Sequence, residues 1–259
     1  MRTERQDIIF LAGLLIIAPI LIFLFHASFF VAILIYFGIP SLYFSIRNPH
    51  AVKKAVLMAL PALPLCLILD ALAFMNKAWD VASVFSFRLL LIPLEDFLFS
   101  FLFVYLIVIA YEQLFGTDEK PNYRRLTIFW LATIILVLAF FAAYAWAPSI
   151  LNIPYYYTWL LGIVFIIPFG LGLLFMPFLR KSVLLTGAYF FVLMLPWEIM
   201  ANNFGMWTFP GDYVTRITLF GTSFPLEEFL TWMVFGAGTA LILSRLGIGR
   251  EQVDISQKE

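Results

Sequence analysis

The sequence predicts an all-α integral membrane protein with about eight transmembrane helices, arranged as two parallel four-helix repeats. Composition is the first reason: of 259 residues, 63% are hydrophobic and 12% charged, and the mean hydropathy is +0.99. In soluble domains, about a quarter of all residues are charged. Long apolar segments recur along the chain, and one acidic motif occurs twice. Together these features exclude an ordinary soluble domain.

Eight segments approach the roughly 20 apolar residues that a spanning helix needs. They are Ile8–Phe25, Phe29–Ile46, Val52–Phe74, Arg88–Glu112, Leu126–Trp146, Tyr157–Leu179, Val183–Met200 and Leu219–Leu243. Only His26-Ala27-Ser28 separates the first two. A re-entrant hairpin or one long tilted helix is therefore the alternative there. The first segment lacks a small-residue cleavage site, so we expect a retained helix rather than a signal peptide.

The distribution of basic residues orients these segments. With a cytoplasmic N-terminus, 13 of the 16 Lys and Arg residues fall on the cytoplasmic side, and only Lys77, Arg88 and Arg216 fall outside. Cytoplasmic loops of membrane proteins carry such an excess of basic residues. We therefore expect both termini in the cytoplasm, including a polar tail over residues 247–259.

Matched pairs of residues indicate an internal duplication. Asp70 and Trp79 correspond to Glu198 and Trp207, 128 residues further along the chain. This predicts a first repeat over residues 1–117 and a second over residues 118–246, with four helices each. An even number of helices makes the repeats parallel, related by an axis along the membrane normal. Both acidic motifs then lie at the same depth, on the extracytoplasmic side.

The acidic motif reads Pro93-Leu94-Glu95-Asp96 in the first repeat and Pro225-Leu226-Glu227-Glu228 in the second, an offset of 132 residues. Charged side chains are costly in a bilayer and usually functional. Proline is favoured at the first helical position, which puts the acids in the first turn, where the helix dipole favours negative charge. The alternative is a proline-kinked helix that begins at Arg88 or Leu219.

We expect Glu95 and Glu227, common to both copies, to face the bundle interior, because adjacent helical residues point about 100° apart. Asp96 and Glu228 would then support them by hydrogen bonds. Asp70 and Glu198 complete two matched sets of acids. The alternative is that these acids cap helices and pair with the arginines that precede each motif.

Three tryptophans and a phenylalanine accompany the acids: Trp79, Trp197, Trp207 and Phe99. Aromatic faces stabilise cations, although an interfacial aromatic belt would also place tryptophans here. Neighbouring carboxyl groups in an apolar site share protons unequally, so that one is neutral beside an ionised partner. A general acid, a general base and aromatic walls suit alkene protonation, a carbocation and loss of another proton.

Other functional classes lack their signatures. The net charge is zero, so the chain has no excess of positive charge to favour nucleic-acid binding. No Gly-x-Gly-x-x-Gly motif follows a strand, so the fingerprint of a dinucleotide-binding site is missing. There is no Asp-x-x-x-Asp pair for diphosphate chemistry, and the last predicted helix lacks a lysine for a retinal Schiff base. One cysteine and two histidines leave little for a metal site. We predict neither a metal nor a cofactor.

The doubled Pro-Leu-Glu-(Asp/Glu) motif, Asp70, Pro196-Trp197-Glu198 and the intervening tryptophans resemble the membrane-integral carotenoid lycopene cyclase family. The resemblance covers nearly the whole chain. In some bacteria of that family the halves are separate subunits, and this chain resembles the fused form. Two departures from the family pattern are Asp96, where Glu-Glu is commoner, and Leu69, where the family often has Trp.

The resemblance implies a lycopene β-cyclase in a prokaryotic plasma membrane. Such an enzyme converts the ψ-ends of lycopene to β-ionone rings, through γ-carotene to β-carotene, without net redox change. It would work in the lipid bilayer beside other enzymes of the carotenoid pathway. The motif assigns catalysis to Glu95, Asp96, Glu227 and Glu228. The alternatives are an ε-cyclase or hydratase using the same acids, and a carotenoid-binding or proton-coupled transport protein.

Overall fold

The computed structural model describes residues 5–116 and 122–248. Within these ranges, eight helices are long and apolar enough to cross a membrane. They are α1 (Arg5–Phe25), α2 (Phe29–Arg47), α3 (Pro49–Met75), α4 (Leu94–Leu114), α5 (Tyr123–Trp146), α6 (Tyr156–Phe175), α7 (Pro177–Asn203) and α8 (Leu226–Gly247). The predicted helical, multi-pass membrane character is confirmed at this level.

The first two helices are separate, because the chain turns between them at His26, whose φ is 45°. Several predictions lie outside the described residues. These are the boundary between the two repeats near residue 117, most of the polar tail, and Arg2, Lys120, Arg250 and Lys258 of the orientation count.

Short strands lie before the fourth and eighth helices. They are β1 (Asp80–Val81), β2 (Arg88–Leu89), β3 (Ile92–Pro93), β4 (Trp207–Thr208), β5 (Arg216–Leu219) and β6 (Thr222–Pro225). The pairs β2–β3 and β5–β6 form antiparallel hairpins, and β1 pairs with β4. The prediction that α4 begins at Arg88 and α8 at Leu219 is therefore wrong, because those residues lie in hairpins.

Each hairpin runs directly into its helix through the proline of the acidic motif. Pro93 and Pro225 are N-caps in an extended conformation, with ψ of 147° and 144°. The prolines thus stand one position earlier than the predicted first helical position. Because the helix starts one residue later, at the motif leucine, the acids still occupy the first turn.

The hairpin before α8 is longer than the hairpin before α4. Their tips, Leu90-Leu91 and Phe220-Gly221, all have φ between 50° and 82°, as in the turns that suit the twist of a hairpin. Strands β5 and β6 have four residues each, whereas β2 and β3 have two. The four-residue difference between the motif offsets therefore lies in the hairpin, close to the site.

Three of the helices contain π-helical segments: Leu34–Gly38 in α2, Leu161–Ile166 in α6 and Phe229–Gly236 in α8. The first two are followed closely by Pro40 and Pro168, which lack the N–H of a regular α-helical bond. Such segments widen a helix locally and are frequent at functional sites. The third carries Trp232 toward the bundle interior.

Helices α4 and α8 form the centre of the bundle. In the most apolar stretches of α4 and α8, 50% and 56% of the residues are buried, against 17% in α1 and α5. Both central helices begin at the acidic motifs, and we call this end of the bundle the motif end. The opposite end holds buried ion pairs of Glu112 with Lys54 and Arg245, and we call it the charged end.

Candidate active site

Four carboxyl groups meet in one cavity of about 70 Å³ at the motif end, which we call the acid chamber. Asp70 and Glu198 come from the last turns of α3 and α7, and Asp96 and Glu228 from the first turns of α4 and α8. The rest of the lining is mainly aromatic and aliphatic. A chain with few charges thus gathers acids from four helices at one apolar place.

Glu198 and Glu228 lie in the lining of the same chamber. Glu198 accepts hydrogen bonds from Trp207 Nε1 at 3.2 Å and from Asn202 Nδ2 at 2.5 Å, and Tyr157 donates its hydroxyl to Glu228. Two N–H donors stabilise an ionised Glu198. Glu198 thus accepts two N–H hydrogen bonds, whereas Glu228 accepts one from a hydroxyl group.

The chamber acids of α3 and α4, Asp70 and Asp96, have fewer hydrogen bonds. Asp70 accepts a hydrogen bond from Cys66 Sγ at 2.8 Å. Asp96 is only 5% exposed, and its Oδ2 has no hydrogen-bond partner within the described ranges. An unbonded buried polar atom costs free energy and therefore needs an explanation, of which a catalytic role is one. Asp96 therefore presents an unsatisfied oxygen in the acid chamber.

Glu95 and Glu227 are buried, with 1% and 2% of their surface exposed, but neither lines the acid chamber. Glu95 turns back onto the preceding loop and accepts the backbone N–H groups of Val84 at 2.6 Å and Phe85 at 3.2 Å. Glu227 accepts the N–H of Val214 at 2.8 Å. The first-turn glutamate satisfies loop amides, which leaves the following acid to face the chamber.

Both glutamates also accept a hydroxyl hydrogen bond. Ser83 donates to Glu95 Oε2 at 3.2 Å, and Thr158 donates to Glu227 Oε1 at 2.8 Å. The second oxygen of Glu227 is buried without a partner among the described residues. These contacts connect the start of α4 and α8 to the loops near the chamber, so the two glutamates are suited to position those loops.

All four predicted aromatic residues, Trp79, Trp197, Trp207 and Phe99, line the acid chamber. The ring centroids of Trp197 and Trp207 are 5.9 Å apart, and those of Phe99 and Trp197 are 6.3 Å apart. The sequence did not single out Trp232, whose ring lies 5.3 Å from that of Phe99. Aromatic faces therefore border the carboxyl groups on several sides.

Helical spacing would have found several of the residues that we did not predict. Ser100 and Trp232 follow Asp96 and Glu228 by four residues, and Cys66 precedes Asp70 by four. Residues four apart share a helix face. Cys66 donates a hydrogen bond to Asp70, an acid of the chamber. Tyr157 comes from a different helix, and no local pattern points to it.

The two arginines near the motifs do not pair with the motif acids among the described residues. Arg88 binds Val81 O at 2.7 Å and Asp80, and Arg216 binds Ser223 O at 3.1 Å. The alternative of an interfacial ion pair for the motif acids is thus not what the structure contains. The arginines instead hold the loops that border the chamber.

A tyrosine in the second loop ties the two loops together. Tyr213 donates its hydroxyl to Ala78 O at 2.8 Å and accepts the N–H of Gly211. Burial raises the pKa of Tyr213 to about 12, so its hydroxyl stays protonated near neutral pH and remains a donor. This bond and the β1–β4 pair join the loops beside the acid chamber.

The chamber combines four carboxyl groups and aromatic faces in an apolar enclosure. Such a set is able to donate a proton, shield a cation and accept a second proton. Within residues 5–116 and 122–248, no group of three His, Cys, Asp or Glu side chains has the arrangement of a metal site.

Compared with known proteins, the chain matches no family model, no curated protein and no solved structure.

Proposed function

We propose that the chain is a membrane-integral lycopene β-cyclase, which converts the linear ends of lycopene to β-ionone rings by acid-initiated isomerisation. The observation that carries this proposal is the meeting of four acids and several aromatic rings in one buried apolar chamber. The sequence resemblance to carotenoid cyclases points to the same chemistry. Both lines lead to proton transfer on an uncharged hydrocarbon.

The reaction we propose begins at Asp96. Its Oδ2, which has no partner within the described ranges, donates a proton to C2 of the terminal C1=C2 bond and leaves a cation at C1. The electron pair of C5=C6 attacks C1, which closes the six-membered ring and moves the cation to C5. The aromatic walls, including Trp79 and Trp207, stabilise this positive charge.

Proton removal completes the ring. We assign it to the Glu198–Glu228 pair, in which Glu198 is the carboxylate that two N–H donors support. Loss of the proton from C6 leaves the C5=C6 bond of a β-ring. One proton enters at C2 and one leaves from C6, so the product is an isomer and no electron is gained or lost. Exclusion of water from the apolar chamber prevents capture of the cation as an alcohol.

We further propose that the chain is two parallel repeats. Asp80 and Thr208 are 128 residues apart, the offset of the duplicated acids, and they pair with each other across antiparallel β1 and β4. Antiparallel pairing of equivalent residues is what a two-fold axis produces. The ends of α3 and α7, Met75 and Asn203, follow the same offset. These matches support an axis along the membrane normal.

The proposal places the motif end on the extracytoplasmic side of a plasma membrane, with both termini in the cytoplasm, as the basic residues predict. An extended C40 polyene is comparable in length to the roughly 30 Å hydrocarbon thickness. Its end therefore reaches an acid chamber near one face of the bilayer. The partners are the lipid, the carotenoid and other enzymes that make or modify it.

The test is pigment analysis of a lycopene-accumulating bacterial host that expresses the chain. We expect γ-carotene and β-carotene in place of lycopene. Unchanged lycopene beside a well-expressed, membrane-inserted protein would contradict the proposal. ε-Ring or hydroxylated products would retain acid-initiated chemistry in the chamber but replace the β-cyclase assignment.

A further inference from the structure

A second, apolar cavity of about 150 Å³ adjoins the acid chamber. The two cavities share Asp70, Trp79, Ser100 and Trp232 in their linings. From there the second cavity descends between α3, α6 and α8 as far as Ser244. Twelve helical residues from Trp232 to Ser244 measure about 18 Å. We call this cavity the descending channel.

The few polar groups of the descending channel need no polar ligand. Thr239 donates its hydroxyl to Phe165 O at 3.1 Å, and Ser244 donates to Leu241 O at 2.7 Å. Cys66 donates its thiol to Asp70 Oδ2 at 2.8 Å. The rest of the lining below the chamber is aliphatic or aromatic. The channel is therefore suited to an extended hydrocarbon without hydrogen-bonding groups.

Two side chains on α3 that are smaller than their counterparts on α7 keep this channel open. Ala62 and Leu69 both line it. The residues 128 positions later, on α7, are Phe190 and Trp197. Both of these larger residues are only 2% exposed. At the offset that relates the acids, the positions on α3 therefore border a cavity, whereas the corresponding positions on α7 hold buried aromatic rings.

On the α7 side, an aromatic cluster fills the corresponding space. The rings of Tyr36 and Phe37 lie 4.8 and 5.4 Å from that of Trp197. Phe103 lies 5.6 Å from Phe190. A cavity of about 140 Å³ lies beyond this cluster, and among the described residues it has no lining residue in common with the acid chamber. The chamber thus continues toward the charged end on the α3 side.

We propose that the descending channel binds the long apolar tail of a linear isoprenoid whose end group reacts in the acid chamber, and that Ala62 and Leu69 keep it open. The reaction at the end group rests on the proposed function, whereas tail binding does not. An uncharged hydrocarbon end fits the chamber better than a lipid head group, because the chamber's carboxyl groups repel phosphate.

One consequence concerns the order of events on a substrate with two reactive ends. Among the described residues the four acids line one chamber, and the channel leads away from it on one side. An extended chain therefore presents one end at a time. We expect the singly cyclised product to leave the protein and to bind again, reversed, before the second ring forms.

The experiment compares variants that place the α7 side chains on α3. Leu69→Trp fills the channel beside the chamber, and Ala62→Phe fills it about 12 Å below Asp70, eight helical residues away. Ala110→Phe is the matched control, because Ala110 lines the separate cavity. Each purified protein is loaded with lycopene, and the retained polyene is measured by absorbance per protein. Conversion is measured with lycopene and with a short acyclic isoprenoid that has the same end group.

We expect Leu69→Trp and Ala62→Phe to lower polyene retention by about tenfold or more, the effect of roughly 1.4 kcal/mol. Ala110→Phe should retain polyene like the wild type. Ala62→Phe should still convert the short isoprenoid, since that chain ends above the new ring. A protein that merely folds poorly would lose both substrates together. Should Ala62→Phe not be monodisperse, Ala240→Phe on the facing wall repeats the test.

The outcomes separate the two proposals. Retention that is lost in both filling variants, without cyclic product from any protein, would support the channel and reject the cyclase. Cyclisation by the wild type with unchanged retention in both filling variants would reject the channel alone. Equal loss in Ala110→Phe, or co-purification of lipid in place of polyene, would also overturn the tail-binding assignment.

Discussion

The two neighbouring acids of each motif make different contacts because of their positions in the first helical turn. The glutamate that directly follows the motif leucine meets the amides of the preceding loop, as Glu95 does with Val84. The next acid, Asp96 or Glu228, lies on the side that borders the chamber. One carboxylate in each motif thus binds loop backbone, and the other borders the acid chamber.

Asp96→Asn tests the proton donor. Asparagine has the same shape but no acidic proton, so we expect formation of cyclic carotenoid to fall by about 100-fold or more. Asp80→Asn is the matched control, because Asp80 also lies at the motif end but is 58% exposed. Pigment composition and the amount of membrane-inserted protein are measured together. Full activity of Asp96→Asn would remove Asp96 from the mechanism.

Glu95→Gln and Glu95→Ala distinguish a loop anchor from a catalyst. The glutamine oxygen still accepts the N–H groups of Val84 and Phe85, so we expect the loss of activity to stay below about tenfold, since only the charge-assisted part of these bonds is lost. Alanine removes the acceptor, and we expect faster proteolysis of the loop that contains Ser83 to Phe87.

Cyclisation is measured in membranes, and proteolysis is followed on the purified protein. If the glutamine variant were as inactive as Asp96→Asn, the assignment of Glu95 to loop positioning would fail. The same pair of substitutions at Glu227 provides an independent repeat, since Glu227 binds Val214 N and Thr158.

At the scale of elements, each central helix carries buried polar side chains at both ends. Helix α4 begins with its acidic motif and ends near Glu112, which binds Lys54 Nζ of α3 at 2.8 Å and Arg245 of α8 at 3.1 Å. The side chains of Glu112 and Lys54 are 4% and 12% exposed. This buried network links three helices and thereby holds the walls of the descending channel together.

Glu112→Ala should lower the free energy of unfolding by about 3–5 kcal/mol, because it leaves the buried ammonium of Lys54 without its carboxylate. Thermal unfolding of the purified protein in detergent measures the change. Asp80→Ala is the comparison, because it removes an exposed ion pair with Arg88, which contributes less than about 1 kcal/mol. Similar melting temperatures for the two variants would contradict the structural role of the buried network.

At the scale of the whole molecule, one end of the bundle holds the acid chamber and the other end holds the buried ion pairs of Glu112. We expect the motif end to face outward, as the basic residues predict. The single cysteine is only 4% exposed, so introduced cysteines are readily distinguished from it. Phe220, at the tip of the β5–β6 hairpin, is 83% exposed, and Arg124 is exposed near the charged end.

Phe220→Cys should therefore react with a membrane-impermeant thiol reagent in intact cells. Arg124→Cys should react only after the membrane is opened, which makes it the matched control. Labelling is quantified on the isolated protein as the labelled fraction. The reverse pattern would place the acid chamber on the cytoplasmic side and invert the predicted topology.

Local sequence patterns predicted the helices well but not their starts. Apolar runs identified eight segments, because length and composition decide whether a helix suits a bilayer. Arg88 and Leu219 were assigned to helices because they adjoin apolar residues. In the structure they belong to hairpins that precede a proline, where extended backbone is preferred. Hydropathy does not distinguish an apolar hairpin from the first turns of a helix.

The candidate site was predictable as a set of residues but not as a geometry. Paired acids beside tryptophans stood out in an apolar chain, and four of the six acids and all four aromatic residues line the chamber. The sequence favoured Glu95 and Glu227 because they are identical in the two copies. Loop amides that bind them become neighbours only after the chain turns back, which no local pattern records.

The sequence by itself determined the membrane class, the number of apolar helices and the identity of the clustered acids, because these depend on composition and short-range spacing. The tertiary structure alone decided which acid of each motif faces the chamber and where the chamber continues. Both depend on side chains that arrive from other helices. Leu69 leaves a channel while Trp197 fills the corresponding space, since packing is settled by all the neighbours together.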